Sequence, residues 1–165
     1  MTRDVVPRPL TADAFAPFGE VIEASDRAEQ IEINYGYTTR FNDLAKVDVA
    51  EQGGRAIVSL FRAQPLSPPL LKVFERHPLA SQAFMPLQGR SYLVAVAPAG
   101  DFDPAAVQVF LAGPDQGVNY HRGVWHHFLL ALHAQSDFLV IDRAGPGENL
   151  DEIHLDGADQ ILVTP

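Results

Sequence analysis

Gly117-Val118-Asn119-Tyr120-His121-Arg122-Gly123-Val124-Trp125-His126-His127 gathers three of the chain's six histidines around a tyrosine, an arginine and the single tryptophan. From Val124 to Leu132 the residues read as a strand, in which successive side chains point to opposite faces. His126 then shares a face with Phe128 and Leu130, and His127 shares the other with Trp125 and Leu129. On that reading only one of the adjacent histidines points into a barrel. Gly117 and Gly123 permit the tight backbone that would bring His121 near His126. The plain alternative is one core histidine, one surface histidine and one turn residue. The clustering with Tyr120, Arg122 and Trp125 favours chemistry instead.

Outward from this stretch, the chain is punctuated by 13 prolines and 12 glycines, which leaves little room for long helices. One short helix is predicted, with Thr11 capping Ala12-Asp13-Ala14-Phe15-Ala16 and Pro17-Phe18-Gly19 stopping it. Ile31–Tyr35, Ala56–Phe61, Ser81–Pro86, Ser91–Ala97, Val107–Leu111, Asp137–Asp142 and Gln160–Val163 read as strands. Leu70–His77 has a spacing that suits a strand or two helical turns. Turn signals separate these runs, among them Ala112-Gly113-Pro114-Asp115 and Ala144-Gly145-Pro146-Gly147, and Gly53-Gly54 reads as a hairpin turn. Short strands at roughly ten-residue spacing predict an all-β sandwich or closed barrel with one or two short helices, in a single domain over residues 1–165.

The 165 residues are 47% apolar, enough for one core, and carry a formal net charge of -9. That charge argues against nonspecific binding to nucleic acid or an anionic membrane, both of which need a basic face. With no cysteine, disulfides, thiol nucleophiles and cysteine-based metal centres are excluded. The first residues contain no apolar core of a secretory signal, and no apolar run approaches the ~18 residues of a membrane helix. A cytoplasmic protein acting on a small molecule is expected.

A second stretch, Glu75-Arg76-His77-Pro78-Leu79-Ala80-Ser81-Gln82-Ala83-Phe84-Met85-Pro86-Leu87-Gln88-Gly89-Arg90, resembles the first motif of the cupin superfamily. His77 falls on the second ligand position, Gln82 on the acidic position and Gly89 on the glycine, while Glu75 takes the first ligand position, usually histidine. Gly123 and His126 match the second cupin motif, with His121 in place of its proline. The resemblance implies a jelly-roll β-barrel or sandwich. It also implies a divalent metal on Glu75, His77, Gln82 and His126, nickel ahead of zinc, manganese or iron, since imidazole and carboxylate suit these ions. Gln82 is neutral where a carboxylate is usual, so a metal-free pocket using the same groups for acid–base work is the other possibility.

The resemblance narrows further. His77–Leu87, Gly117–His127, Asp137-Phe138-Leu139-Val140-Ile141-Asp142-Arg143 and the opening Pro9-Leu10-Thr11 … Phe15-Ala16-Pro17-Phe18-Gly19-Glu20-Val21-Ile22 are similar to the ureidoglycolate lyase family, over essentially the whole chain. That implies a homodimer that cleaves (S)-ureidoglycolate to glyoxylate and urea in allantoin catabolism. Such a reaction needs a base, an acid and an anion clamp. His77 and His126 are the expected acid–base pair, with His121 a further catalytic candidate. Gln82 is expected on the ureido group, Arg90 or Arg122 on the carboxylate, Tyr92 and Tyr120 as donors, and Lys72 as a weaker candidate. Each has a structural alternative: Arg90 in a surface turn, Tyr92 as a core residue with a polar tip, Glu75 as a solvated edge carboxylate. Another metal-dependent cupin enzyme on a small acid, or a noncatalytic cupin that binds one, are the rival readings, because one fold hosts many functions.

Overall fold

Tyr92–Ala97 is apolar at every position, and all six residues are buried. A strand of that kind needs a core on each face, and the fold supplies two. In the computed structural model, which describes residues 2–164, the elements in chain order are β1 (Arg3–Val5), β2 (Arg8–Pro9), α1 (Ala12–Phe15), β3 (Gly19–Ile22), β4 (Glu29–Ile33), β5 (Thr38–Asn42), β6 (Arg55–Ala63), β7 (Leu70–Leu71), β8 (Val73–Arg76), β9 (Gln82–Pro86), β10 (Tyr92–Ala97), β11 (Gln108–Ala112), β12 (Gly117–Tyr120), β13 (Trp125–His126), β14 (Leu130–Ala131), β15 (Ser136–Ala144), β16 (Asp151–His154) and β17 (Ile161–Val163).

One sheet runs β16-β8-β13-β10-β11-β2, with β14 also paired to β10. A second runs β3-β12-β9-β15-β6. Tyr92, Val94 and Val96 of β10 meet Phe84, Val118, Phe138 and Val140 of the second sheet in one core, which Phe15 of α1 and Phe18 help to fill. Leu93, Ala95 and Ala97 face the other way, onto Leu71, Phe74, Trp125 and Ile161. There the small sheet β1-β17-β7 covers the outer face. The architecture is an all-β, cupin-like sandwich. Thr11 caps α1 by accepting from the Ala14 N–H at 3.2 Å. β4 and β5 form a separate two-stranded ribbon.

The structure departs from the sequence reading at informative places. Leu70–His77 is strand on both sides of Lys72, not helix. Gly117–Tyr120, outside the predicted strands, is β12, paired on both sides within the second sheet. Val124–Leu132 is not one strand. Val96 pairs with His126 and Leu93 with Leu130, so three steps along β10 match four along its partner. The extra residue is a bulge, and a bulge reverses the in–out alternation. His126 and Leu130 therefore lie on opposite faces, and Trp125 joins Leu130 in the outer core. Both adjacent histidines are buried, at 1% and 3% exposure.

Candidate active site

The bulge delivers His126 to a cavity of about 350 Å³ between the two main sheets, lined by Glu75, His126 and His127 from one and by Phe61, Arg62, Phe84 and Tyr120 from the other. Glu75 lies directly opposite His126 in the β8–β13 pairing, so both side chains leave the sheet on the same face. Tyr120 and Gln82 are likewise paired across β12 and β9. The chain crosses from β12 to β13 through a turn at Gly123, whose φ of 78° suits glycine. Its N–H donates to the His77 carbonyl at 3.0 Å. Gly117 lets β12 and β9 approach closely, because a Cβ there would lie 2.5 Å from the Phe84 carbonyl oxygen.

His126 is held on three sides. Its Nδ1–H donates to the Val124 carbonyl at 3.2 Å. Tyr120 stacks on the ring, with centroids 4.2 Å apart and planes 4° from parallel. Nε2 is buried without a hydrogen-bond partner among the described residues, and it faces Glu75 Oε1 at 3.4 Å. Burial, outweighing the pull of Glu75, draws the His126 pKa below its ordinary value. The facing His126, outweighing burial, holds the Glu75 carboxyl below the usual carboxylate range. At neutral pH an imidazole lone pair thus faces a carboxylate across a short gap. A proton placed on Nε2 would be stabilised at once, which is how a buried histidine becomes an effective base. His127 packs edge-on against Phe74, and burial pulls it down to about 4.

Behind Glu75 stands His77, outside the cavity lining. Its Nδ1–H donates to the Asn149 carbonyl at 2.9 Å, and its Nε2 lies 3.1 Å from Gln82 Oε1. Gln82 Nε2 in turn donates to Asp142 Oδ2 at 3.1 Å.

Glu75, His77 and His126 each bring one ligand atom within 4.8 Å of the other two, so the cluster has the composition of a metal centre. Two of those atoms, Glu75 Oε1 and His126 Nε2, are free. The His77 nitrogen is already spent on Gln82, and both ends of the Gln82 amide are engaged. Catalytic divalent sites take three protein ligands, and Glu75, His77 and His126 are the residues that would hold an ion here, His77 by giving up its contact with Gln82.

The remaining expected residues lie elsewhere. His121 is exposed and bound to Glu20 at 2.7 Å. Arg122 is committed to Asp48 and Glu51. Both line a separate cavity with Lys46 and Ser81. The turn at Gly123 sends His121 to one side and His126 to the other, so it separates them instead of joining them. Tyr92 is a core residue whose hydroxyl donates to the Gln116 carbonyl at 2.7 Å. Arg90 ties a loop through Gln88 and the Gln135 carbonyl. Lys72 is exposed and lines another cavity with Leu70 and Val73. Tyr120 lines the main cavity, as does Arg62, which sequence reasoning missed. Arg62 pairs with Asp137 through Nε and one Nη at 2.8 and 3.0 Å, leaving Nη1 unbonded among the described residues. Only the Arg62–Asp137 register across β6 and β15 could have signalled it.

The ureidoglycolate lyase family profile matches residues 2–162. This chain belongs to the ureidoglycolate lyase family. A ureidoglycolate lyase of Burkholderia mallei (strain NCTC 10229) is 57% identical over 148 residues, 89% of this chain and 86% of that protein. One of Pseudomonas syringae pv. tomato is 48% identical over 165 residues, 99% of this chain and 96% of that protein. Among solved structures, a dTDP sugar isomerase of Desulfovibrio desulfuricans G20 aligns at 14% identity and a TM-score of 0.42, over 85% of this chain and 86% of that one. Like its lyase relatives, the chain is an enzyme.

Proposed function

We propose that the cavity around His126 cleaves ureidoglycolate to glyoxylate and urea. The family supports the substrate, and the unpartnered His126 Nε2 facing Glu75 supports the chemistry. Ureidoglycolate carries a hydroxyl and a ureido nitrogen on one carbon. His126 Nε2 takes the hydroxyl proton, and Glu75 stabilises the resulting imidazolium. The oxygen electron pair forms the carbonyl as the C–N bond breaks, and the bonding pair goes to nitrogen. Because the two heteroatoms share a carbon, the same Nε2 can hand the proton to the departing nitrogen. Atoms and charge balance, and nothing is oxidised.

Tyr120 keeps the imidazole flat against the wall, and burial of its phenol, the main cause of its raised pKa, keeps it a neutral donor. The reaction on this reading needs no metal, because each proton transfer is assigned to a protein group. The reading extends to the (S) enantiomer, to allantoin breakdown in the cytoplasm and to a homodimer. The exposed apolar side chains Val58 and Leu60 on edge strand β6 favour the dimer.

The test is release of urea and glyoxylate from racemic ureidoglycolate, with the spontaneous decay subtracted and with and without chelator. Light scattering on the same sample checks for two copies. We expect equal amounts of both products from one enantiomer, undiminished by chelator. No rate above background would overturn the reading, and loss of rate on chelation with recovery on nickel would overturn its metal-free part.

A further inference from the structure

β6 is an edge of the second sheet. Its nine residues pair one for one with Ser136–Ala144 of β15 on one side, and with no strand on the other. A row of backbone donors and acceptors is left open along the free side. Proteins usually protect such an edge with a proline, a bulge or a charge in mid-strand. Arg55–Ala63 contains no proline, its register is unbroken, and its two charges, Arg55 and Arg62, stand near the ends. On its outer face Val58 and Leu60 are 67% and 66% exposed.

The strand is also self-complementary. An antiparallel copy of β6 pairs all nine residues only when the two-fold axis passes through Ser59, the midpoint. Val58 then meets Leu60, Ile57 meets Phe61 and Arg55 meets Ala63, each twice, as an isologous contact requires. Ala63 packs on the inner core and Phe61 on Phe84, so alternation points Arg55 to the inner face as well. Phe61 and Ala63 line the cavity. Within one chain about 26 Å of strand separates Arg55 from Ala63. Across the paired edges they stand about 5 Å apart.

The cavity lacks what this arginine offers. Glu75 brings a carboxylate to the lining, and the one permanent cation among the lining residues, Arg62, is neutralised by Asp137. Arg55 is exposed and has no ion-pair partner among the described residues.

We propose that β6 pairs with β6 of a second copy about Ser59, and that the partner's Arg55 binds the substrate carboxylate at the cavity. This deepens the lyase and homodimer reading, and its kinetic arm rests on that reading.

Ser59→Cys tests the pairing without substrate. The chain has no cysteine of its own. Opposed residues on the axis have Cα atoms about 4.5–5.5 Å apart, within reach of a disulfide. Mild oxidation should give a covalent dimer on a non-reducing gel. Ala56→Cys, whose two copies lie about 20 Å apart in this register, should not cross-link. No cross-link at Ser59, or an equal one at Ala56, would overturn the pairing.

Arg55→Ala tests the clamp. Its kcat/KM should fall about 10- to 100-fold, the worth of hydrogen bonds to a charged group, chiefly through KM. Heterodimers of Arg55→Ala with His126→Ala, isolated through two different tags, decide which chain supplies the arginine. One of their sites holds both His126 and the partner's Arg55, and the other holds neither. At low substrate they should run at about half the wild-type rate, although both parent homodimers are impaired. A rate no higher than half that of the Arg55→Ala homodimer would place the arginine in its own chain and overturn the proposal. So would an unchanged kcat/KM in Arg55→Ala. If the wild type releases no urea, the lyase reading falls, the carboxylate role of Arg55 falls with it, and the cross-link alone decides the pairing.

Discussion

Two histidine–carboxylate contacts arise from one short stretch of chain, and they differ in nearly every respect that matters for chemistry. His121 and Glu20 lie 2.7 Å apart, with side chains 46% and 29% exposed. Glu20 also accepts from the Lys46 N–H and from Asn119. His126 and Glu75 lie farther apart, at 3.4 Å, with the histidine 2% exposed and its facing nitrogen unpartnered. The shorter contact is complete and solvated. The longer one is open, with its histidine buried although Glu75 is 30% exposed. Contact length is therefore a poor guide to reactivity here. What counts is whether a group has been left unsatisfied where water cannot satisfy it, because the low dielectric magnifies both the penalty and the response to an arriving proton.

The largest expected effect tests the open contact. His126→Ala should lower kcat by about 10²–10⁴-fold, the usual worth of a general acid–base group, while circular dichroism reports an intact fold. Normal turnover by that variant would break the comparison, since the buried pair would then be no more than a packing defect.

His127 sharpens it, as a buried histidine with no carboxylate facing it. Burial holds it neutral, with a folded-state pKa of about 4 against an ordinary value of 6.5. The unfolded chain therefore takes up a proton at this residue that the folded chain refuses. The stabilisation is complete above about pH 6.5, falls as the pH drops and is gone below about pH 4, a change of at most about 3 kcal/mol from this group. Urea denaturation at pH 7, 5 and 4 should show that slope in the wild type and a shallower one in His127→Phe. Equal slopes would assign the acid lability to other groups.

Much of this was legible in the sequence, and what was not has identifiable causes. The strand spacing and the continuous apolar run at Tyr92–Ala97 predict the sandwich, because a strand buried on both faces has no polar positions to alternate. The resemblance to the cupin motifs points to Glu75, His77, Gln82 and His126, and the fold does bring them together. The side of the sheet on which each histidine falls was not legible. The bulge after His126 adds one residue against β10, and alternation counted along the chain fails from there on. Arg90, Arg122 and Tyr92 were candidates by residue type, but a sequence does not show that their donors are already spent on Gln135, Asp48 and Gln116.

The smallest effect is expected at the solvated contact, and it is the one that would most directly restore the sequence expectation if it proved large. His121→Ala removes an imidazole that points into a different cavity from His126. Exposed ion pairs of this kind contribute about 0–1 kcal/mol, because water and side-chain entropy offset most of the attraction. Glu20 keeps its bonds from Lys46 and Asn119, so the local backbone stays anchored. Urea release should then match the wild type, with a slightly lowered melting temperature. If instead kcat collapsed as in His126→Ala, His121 would have to reach the reacting atoms. The turn at Gly123 would then have to rearrange during turnover, and the separation of the two contacts would hold only in the resting enzyme.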